Sequence, residues 1–333
     1  MTLRSTRIVA ILALAAGCGS LPSPLSRSAP IERWAFTAPW DPRSAASVAA
    51  HAGRLDAIVV GWIPLDTITG APFVLYPDTG ARVAPSARRR MSIVTSYLGS
   101  AFHPAVIRQL ALDSAALRRS SAAVAATARR DGTRGLVLDF EGMTGADSDA
   151  TRLVVAAMAR AAHAAGVGPV VVAVPASDTV GYPARLFDSS ADLLLVMLYD
   201  QHWSTSPPGA IAAPEWVRRT LGMRVAERGA SRLVAALPLY GYLWRPNTVA
   251  STIGYDDARR LAAEAGTALA RDPATLTLHA TRPGADGWEL WVSDAELVAA
   301  LEREVSDLGV RRVAYWRLGL EDPAVWAGAD RKR

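Results

Sequence analysis

The sequence feature that most restricts the fold is a series of eight short apolar runs separated by amphipathic helical patterns. Each run is rich in Val, Ile and Leu without polar alternation, which is typical of parallel strands that helices cover. The runs are Arg33–Ala38, Ala57–Ile63, Met91–Tyr97, Gly135–Phe140, Val170–Val174, Leu193–Leu198, Leu233–Leu237 and Val313–Trp316. Helical patterns fill most intervals, at Arg43–Gly53, Pro104–Leu110, Ser114–Arg130, Ala150–Gly166, Pro214–Gly229 and Asp294–Leu308. Eight such repeats over about 290 residues predict an α/β fold, a (β/α)8 TIM barrel.

The interval between the last two runs is too long for a single connection. It contains a helical pattern at Asp256–Ala270 and two strand patterns, Thr275–Thr281 and Trp288–Val292, around a Pro-Gly turn. We therefore predict a small α+β insertion, at about residues 247–293, between strands 7 and 8. A doubly wound sheet is the competing fold, but it would carry a glycine-rich first turn, and the chain has no GxGxxG motif.

The N-terminal residues predict export. Arg4 and Arg7 precede the apolar segment Ile8–Ala16, a pattern typical of a signal peptide (residues 1–18) and too short for an ordinary membrane span. Cys18, the single cysteine, lies where bacterial lipoproteins carry their lipidated residue, so we expect contact with the membrane only through an N-terminal lipid anchor in the bacterial envelope. Cleavage after Ala15, which would release a secreted protein, is the alternative. Residues 19–30 read as a linker, 31–327 as the barrel and 328–333 as a basic tail.

The charge pattern argues against a nucleic-acid partner. The formal net charge is +5, and the arginines form short clusters such as Arg88–Arg90, Arg118–Arg119 and Arg129–Arg130. A nucleic-acid surface would need one basic face with interleaved aromatic residues. The scattered clusters indicate instead a solvated, arginine-rich surface.

Two carboxylates end the fourth apolar run. Side chains alternate along a strand, so Val137, Asp139 and Glu141 share one face, which in a barrel points to the axis. The carboxyl ends of barrel strands are where barrel enzymes place catalysis. The alternative is that Glu141 or Asp147 is a helix N-terminal acid, which the helix dipole favours.

Other strand ends carry aromatic and polar residues. Tyr199 and Asp200 follow the sixth run. Aromatic residues also lie at or after the ends of other runs, namely Trp40, Trp62, Tyr240, Trp244 and Trp316. Sugars stack their C–H faces on aromatic rings while carboxylates bind their hydroxyls, so this set favours a glycan groove. The five histidines show no metal-ligand spacing, and no GxSxG elbow is present. We predict no metal and no cofactor.

Four ordered motifs resemble glycoside hydrolase family 18, the chitinase-like barrels, and especially its spore-germination and peptidoglycan-hydrolase branch. They are GLVLDFE (Gly135–Glu141), MLYDQHWSTSPPGAIAAPEWV (Met197–Val217), ALPLYGYLW (Ala236–Trp244) and YWRLGLEDPAVW (Tyr315–Trp326). The stretch Trp40–Ile58 resembles the start of the germination branch. The likeness covers about residues 33–327.

The resemblance implies hydrolysis of β-1,4 bonds beside N-acetylglucosamine in peptidoglycan or chitin-type glycans, with the substrate's acetamide as nucleophile. Glu141 matches the acid/base, Asp139 the residue that orients the acetamide, and Tyr199 the residue that bonds the acetamido carbonyl. Asp200 matches its neighbour in the sugar subsite, and Trp316 the floor beneath the sugar.

The chain departs from the family pattern at two positions of the fourth strand. The family's middle Asp falls at Val137 and its first at Arg134. Two hypotheses remain: a substrate-assisted retaining glycosidase, or a carbohydrate-binding barrel with weak or no turnover. The presence of Glu141 favours the glycosidase.

Overall fold

The central feature of the computed structural model, which describes residues 30–76 and 88–331, is a closed barrel of eight parallel strands. Barrel strands 1 to 8 are Glu32–Phe36, Ala57–Pro64, Arg90–Thr95, Leu136–Asp139, Val170–Pro175, Leu193–Met197, Leu233–Pro238 and Arg312–Trp316. Each strand pairs with the next in the chain, and strand 8 closes the barrel by pairing with strand 1. The predicted (β/α)8 barrel is confirmed, and the predicted strand ends agree to within a residue or two.

Helices surround the barrel at nearly the predicted positions. They are Pro42–His51, Pro104–Leu112, Ser114–Arg130, Ser148–Ala164, Pro214–Arg228 and Ala295–Asp307. The helix Ser114–Arg130 shows why a helix start can be predicted from sequence. The carboxylate of Asp113, the residue before it, accepts hydrogen bonds from the Ala115 and Ala116 N–H groups, both at 2.9 Å. Within the described residues, the connection between strands 5 and 6 contains only the 3-10 turn Ala184–Phe187.

The alternation of side chains along the strands produces two separate apolar layers. One set fills the barrel interior, including Trp34, Phe36, Met91, Ile93 and Val137. The other set packs against the surrounding helices and includes Leu136, Leu138, Val172, Val196 and Leu237. Strands buried on both faces explain why the sequence shows continuous apolar runs rather than polar alternation.

A five-stranded antiparallel sheet is inserted between strands 7 and 8. Its strands are Gly241–Trp244, Ser251–Ile253, Ala270–Arg271, Leu278–Arg282 and Trp288–Val292, with the helix Tyr255–Glu264 after the second. The α+β insertion is thus confirmed, but its predicted start at residue 247 is wrong. The segment from residue 241 to 244 belongs to the inserted sheet because it pairs with both neighbouring strands of that sheet.

Several predicted segments lie outside the described residues. These are the signal peptide with Cys18, the linker apart from Pro30, and the last two residues of the basic tail. The last described segment, Pro323–Arg331, crosses the predicted barrel boundary at residue 327. Within residues 30–76 and 88–331, no helix has the length and apolar character needed to cross a membrane.

The close approach of two inserted strands predicts the effect of a single methyl group. In Gly241→Ala the new Cβ would lie 2.0 Å from the backbone oxygen of Trp291, so the strands must separate. We expect a loss of about 2 kcal/mol in unfolding free energy, typical of overpacking. Gly222→Ala is the control, because nothing lies within 4 Å of its added Cβ and Ala favours the helix interior. Thermal denaturation should show a lower Tm for the first variant only; equal Tm values would contradict this account.

Candidate active site

A cavity of about 590 Å³ opens at the carboxyl ends of the barrel strands. Three carboxylates line it: Asp139, Glu141 and Asp200. Its aromatic lining consists of Phe36, Trp40, Trp62, Tyr76, Tyr97, Phe102, Tyr199 and Trp316. The cavity therefore brings together residues from several strand ends, and it combines acids with flat apolar surfaces.

The fourth strand delivers two of the three acids. Val137 lies in the apolar barrel interior, and the next two residues on its face, Asp139 and Glu141, line the cavity above it. The alternative role of helix N-terminal acid belongs to Asp147. Its carboxylate accepts hydrogen bonds from the Thr144 N–H at 2.9 Å and the Arg108 guanidinium at 2.6 Å.

Asp139 is held on one side only. The Thr95 hydroxyl on the adjacent strand donates to Asp139 Oδ2 at 3.2 Å, and the same hydroxyl accepts the Tyr97 N–H at 3.0 Å. Because the Tyr97 N–H is a donor, the Thr95 hydroxyl is free to donate to the carboxylate. The buried Oδ1 of Asp139 has no hydrogen-bond partner in the part of the chain that the structure describes. Asp139 therefore lines the cavity with one carboxylate oxygen that no protein donor satisfies.

Both strand-end acids hold their protons more tightly than exposed carboxyls do. Burial raises the pKa of Asp139, and the Thr95 hydrogen bond lowers it by a smaller amount. Burial is also the largest cause of the raised pKa of Glu141, followed by the charges of Asp139 and Asp200. Glu141 is therefore positioned to be a proton donor at neutral pH.

A single tyrosine hydroxyl fixes the loop that carries Glu141. Tyr182 Oη donates to the carbonyl of Phe140 at 2.7 Å and accepts the N–H of Met143 at 3.0 Å. The loop that carries Tyr182 is in turn fixed by the fully buried Arg224, whose guanidinium donates to four backbone carbonyls, including that of Tyr182 at 2.8 Å. The backbone on both sides of Glu141 thus has a rigid support.

Asp200 is the third acid, and tyrosines that follow strand 7 hold it. It adopts a φ of 57°, a left-handed conformation that non-glycine residues seldom adopt. The Tyr240 hydroxyl donates a hydrogen bond to Asp200 Oδ1. Burial raises the pKa of Asp200, while hydrogen bonds from Tyr240 and Tyr242 act in the opposite direction.

The aromatic residues form a connected wall beside the acids. Tyr199 and Trp316 are stacked with centroids 6.4 Å apart, and Trp62 lies 6.2 Å from Trp316. Trp40 continues the wall, 5.0 Å from Trp62, and it is 49% exposed. Trp40 is therefore accessible at the outer end of the cavity. The peptide bond between Trp316 and Arg317 is cis.

Two predicted substrate-binding residues do not line the cavity. Trp244 lies in the inserted sheet, where it packs in a buried cluster and its indole N–H donates to the Ser206 carbonyl at 3.0 Å. Tyr240 is 3% exposed and contacts Asp200 rather than the cavity itself. Neither residue lines the cavity, Trp244 because the chain leaves the barrel at Gly241 and Tyr240 because its hydroxyl bonds to Asp200.

Sequence reasoning missed several residues that shape the site. Thr95 ends the third strand, so the rule applied to the fourth strand would have found it. Tyr97 and Phe102 belong to the short hairpin after that strand, formed by Tyr97–Leu98 and Ala101–Phe102. Tyr182 has no local signal, because only the folded chain brings it to the fourth strand.

Burial of Glu141 predicts how stability depends on pH. In the unfolded chain this acid ionises near pH 4.5, whereas the folded chain retains the proton to higher pH. The contribution of Glu141 to stability is therefore highest below about pH 4.5 and falls as the pH rises from there to about 8. Glu141→Gln should raise Tm at neutral pH, with a smaller gain near pH 4, in thermal scans at several pH values. The exposed Glu264→Gln is the matched control; a similar profile for both variants would contradict the burial argument.

The comparison with curated sequences gives a distant relative. No family model matches the chain. The chain is 25% identical over 253 residues to the cortical fragment-lytic enzyme of Bacillus subtilis (strain 168). That alignment covers 71% of this chain and 58% of the relative, so the chain spans little more than half of that enzyme's length.

Solved structures show the same barrel. The chitinase of Chromobacterium violaceum ATCC 12472 has a TM-score of 0.81 at 22% identity, and the match covers 91% of this chain and 100% of that one. The GH18 chitinase of Cycas revoluta, solved in complex with (GlcNAc)4, has a TM-score of 0.72 at 17% identity, over 90% of this chain and 98% of that one. The predicted resemblance is therefore confirmed: the chain is similar in fold to family 18 chitinases and in sequence to a cortical fragment-lytic enzyme.

Proposed function

We propose that this chain is an exported glycoside hydrolase that cleaves β-1,4 bonds beside N-acetylglucosamine in peptidoglycan or chitin-type glycans. The observation that carries the proposal is the pair Asp139 and Glu141, which end one barrel strand inside an aromatic-walled cavity. The names of the relatives, a cortical fragment-lytic enzyme and two chitinases, support glycan hydrolysis.

Glu141 is the proposed acid/base. Its raised pKa keeps the carboxyl protonated at neutral pH, so it can donate that proton to the glycosidic oxygen as the bond to the anomeric carbon breaks. After the leaving sugar departs, the resulting carboxylate accepts a proton from water. The water oxygen then bonds to the anomeric carbon, and the original protonation state of Glu141 is restored.

The nucleophile in this proposal is the substrate's own acetamide oxygen, which bonds to the anomeric carbon and forms an oxazolinium-like intermediate. The Asp139 carboxylate, whose Oδ1 lacks a protein partner among the described residues, accepts the acetamide N–H. A negative charge there offsets the positive charge that develops on the acetamide. The attack of water reopens the ring and retains the anomeric configuration.

Aromatic and polar neighbours orient the sugar. We assign Tyr199 to the acetamido carbonyl and Asp200 to a sugar hydroxyl, because both line the cavity next to the two acids. Trp316 provides the floor, and Trp62 and Trp40 extend the apolar wall toward further sugars. Tyr240 serves indirectly, by holding Asp200.

Val137 leaves Asp139 without a second acid below it on the same strand. A third carboxylate at this position would lie on the same face as Asp139, but Val137 is fully buried in apolar surroundings. The Thr95 hydroxyl is then the hydrogen-bond partner of Asp139. We expect Asp139 to keep one fixed orientation, because it has no neighbouring acid on its own strand below it.

Removal of the proposed acid tests the assignment. Glu141→Gln should lower kcat for N-acetylglucosamine oligomers by about 100-fold or more, since a positioned acid contributes on that order. The exposed Glu264→Gln should retain wild-type turnover. Sugar affinity, measured by calorimetry, should persist in Glu141→Gln. Equal rates in the wild type, Glu141→Gln and Glu264→Gln would contradict the role of Glu141. If all three bind sugar without turnover, the protein is a carbohydrate-binding barrel.

A stable mimic of the intermediate tests acetamide participation. A thiazoline derivative of N-acetylglucosamine should inhibit competitively, because it reproduces the five-membered ring that Asp139 and Tyr199 are proposed to contact. Asp139→Asn should weaken this inhibition. Full activity at high thiazoline concentration would argue for a different nucleophile. Mass spectrometry of products from purified sacculi and chitin oligomers identifies the glycan.

We also propose that the protein is anchored to the bacterial envelope by a lipid on Cys18, with a secreted protein as the alternative. Cys18→Ser should move the protein from the membrane fraction to the soluble fraction of fractionated cells. Ser20→Ala is the control and should leave the distribution unchanged. A soluble wild-type protein would support cleavage before Cys18 instead.

A further inference from the structure

The end of the barrel opposite the cavity is rich in arginine. All eight strands are parallel, so the loops that precede them meet at one end. We define the basic face as Arg88–Arg90, Arg129–Arg130, Arg134 and Arg311–Arg312, which lie at or next to the starts of strands 3, 4 and 8. The prediction of scattered clusters is therefore wrong for these groups, although Arg118–Arg119 lie near the other end of their helix.

Contacts across the strand starts unite this face. Glu32 at the start of strand 1 pairs with both Arg89 at 3.3 Å and Arg312 at 3.0 Å. The Arg134 N–H donates to the Arg90 carbonyl at 2.7 Å. The arginines thus belong to one surface rather than to separate loops.

Half of these arginines have no carboxylate partner. In the described ranges, Arg90 donates only to the Gly132 carbonyl and Arg311 to the Ser306 hydroxyl, while Arg129 and Arg134 form no ion pair and are exposed. The paired members also remain partly exposed, from 30% of the side chain for Arg312 to 66% for Arg130. The basic face therefore carries a net positive charge in contact with solvent.

The cavity end differs from the basic face in the charges it presents. The cavity is lined by three carboxylates, and neither arginine nor lysine is among its lining residues. A negatively charged surface would attract the basic face, whereas the cavity lining offers such a surface no cationic side chain. Charge alone therefore gives the barrel a preferred orientation on such a surface.

The chain also enters the barrel at the basic face. Strand 1 begins at Glu32, so the chain reaches the barrel at the end where the strands start. Twelve residues, 19–30, separate Cys18 from the barrel. Twelve residues span at most about 40 Å even when fully extended, so an anchor at Cys18 would keep this end near the bilayer.

We propose that the basic face docks on an anionic phospholipid surface and holds the cavity mouth away from the membrane, toward the glycan. The proposal rests on the proposed envelope location for its setting. The binding test below does not depend on hydrolysis, so the two can fail separately. Each arginine near an anionic surface contributes about 1 kcal/mol, which makes a pair worth about 30-fold in affinity.

One helix offers a matched pair of variants. Arg129→Gln/Arg130→Gln neutralises its basic-face end, and Arg118→Gln/Arg119→Gln neutralises two exposed arginines at its other end. The protein is produced from Gly19 onward, which retains every described strand, helix and core cluster. Co-sedimentation is measured with vesicles of phosphatidylcholine alone and of phosphatidylcholine with phosphatidylglycerol, at low and high salt, and with double-stranded DNA as a soluble polyanion.

We expect binding only to the phosphatidylglycerol vesicles, weakening with salt, and about 30-fold lower affinity for the Arg129/Arg130 variant. The Arg118/Arg119 variant should bind like the unsubstituted protein. Equal losses in both variants would mean that net charge alone acts and would overturn the proposal. Binding to DNA without binding to anionic vesicles would assign the face to another polyanion, and no binding at all would remove the docking role.

Discussion

The close placement of Asp139 and Glu141 in a buried cavity is the interaction on which the candidate site depends. Burial disfavours the charged form of each acid, and the charge of Asp139 raises the pKa of Glu141 further, so the pair retains a proton at neutral pH. That retained proton is what glycosidic bond cleavage requires. The aromatic wall contributes by excluding water around the acids as well as by presenting flat surfaces for a sugar.

The surrounding fold keeps this unfavourable arrangement in place. Thr95 orients Asp139 from the neighbouring strand, Tyr182 fixes the backbone on both sides of Glu141, and Tyr240 holds Asp200. Arg224 adds to this support, because its buried guanidinium donates to the carbonyl of Pro175 at the end of strand 5 and to three carbonyls of the loop that carries Tyr182. Hydrogen bonds from the barrel and its connections thus hold the desolvated acids in position.

The barrel could be predicted because its strands are buried on both faces, so each strand is a continuous apolar run in the sequence. The orientation of Asp139 and Glu141 followed from side-chain alternation. Trp244 was misplaced because a strand's apolar character does not reveal that the chain has left the barrel at Gly241 for a second sheet. Tyr182 and the basic face could not be predicted, since both depend on contacts between distant segments.

A titration of the carboxyl groups by ¹³C NMR, in protein labelled at Glu and Asp side chains, tests the central claim most directly. The account predicts that one glutamate carboxyl, assigned by its absence in Glu141→Gln, remains protonated at neutral pH. Replacing Asp200 with Asn should lower its pKa, because one neighbouring negative charge is removed. A Glu141 signal that titrates in the range of exposed glutamates, and is insensitive to Asp200, would contradict the account.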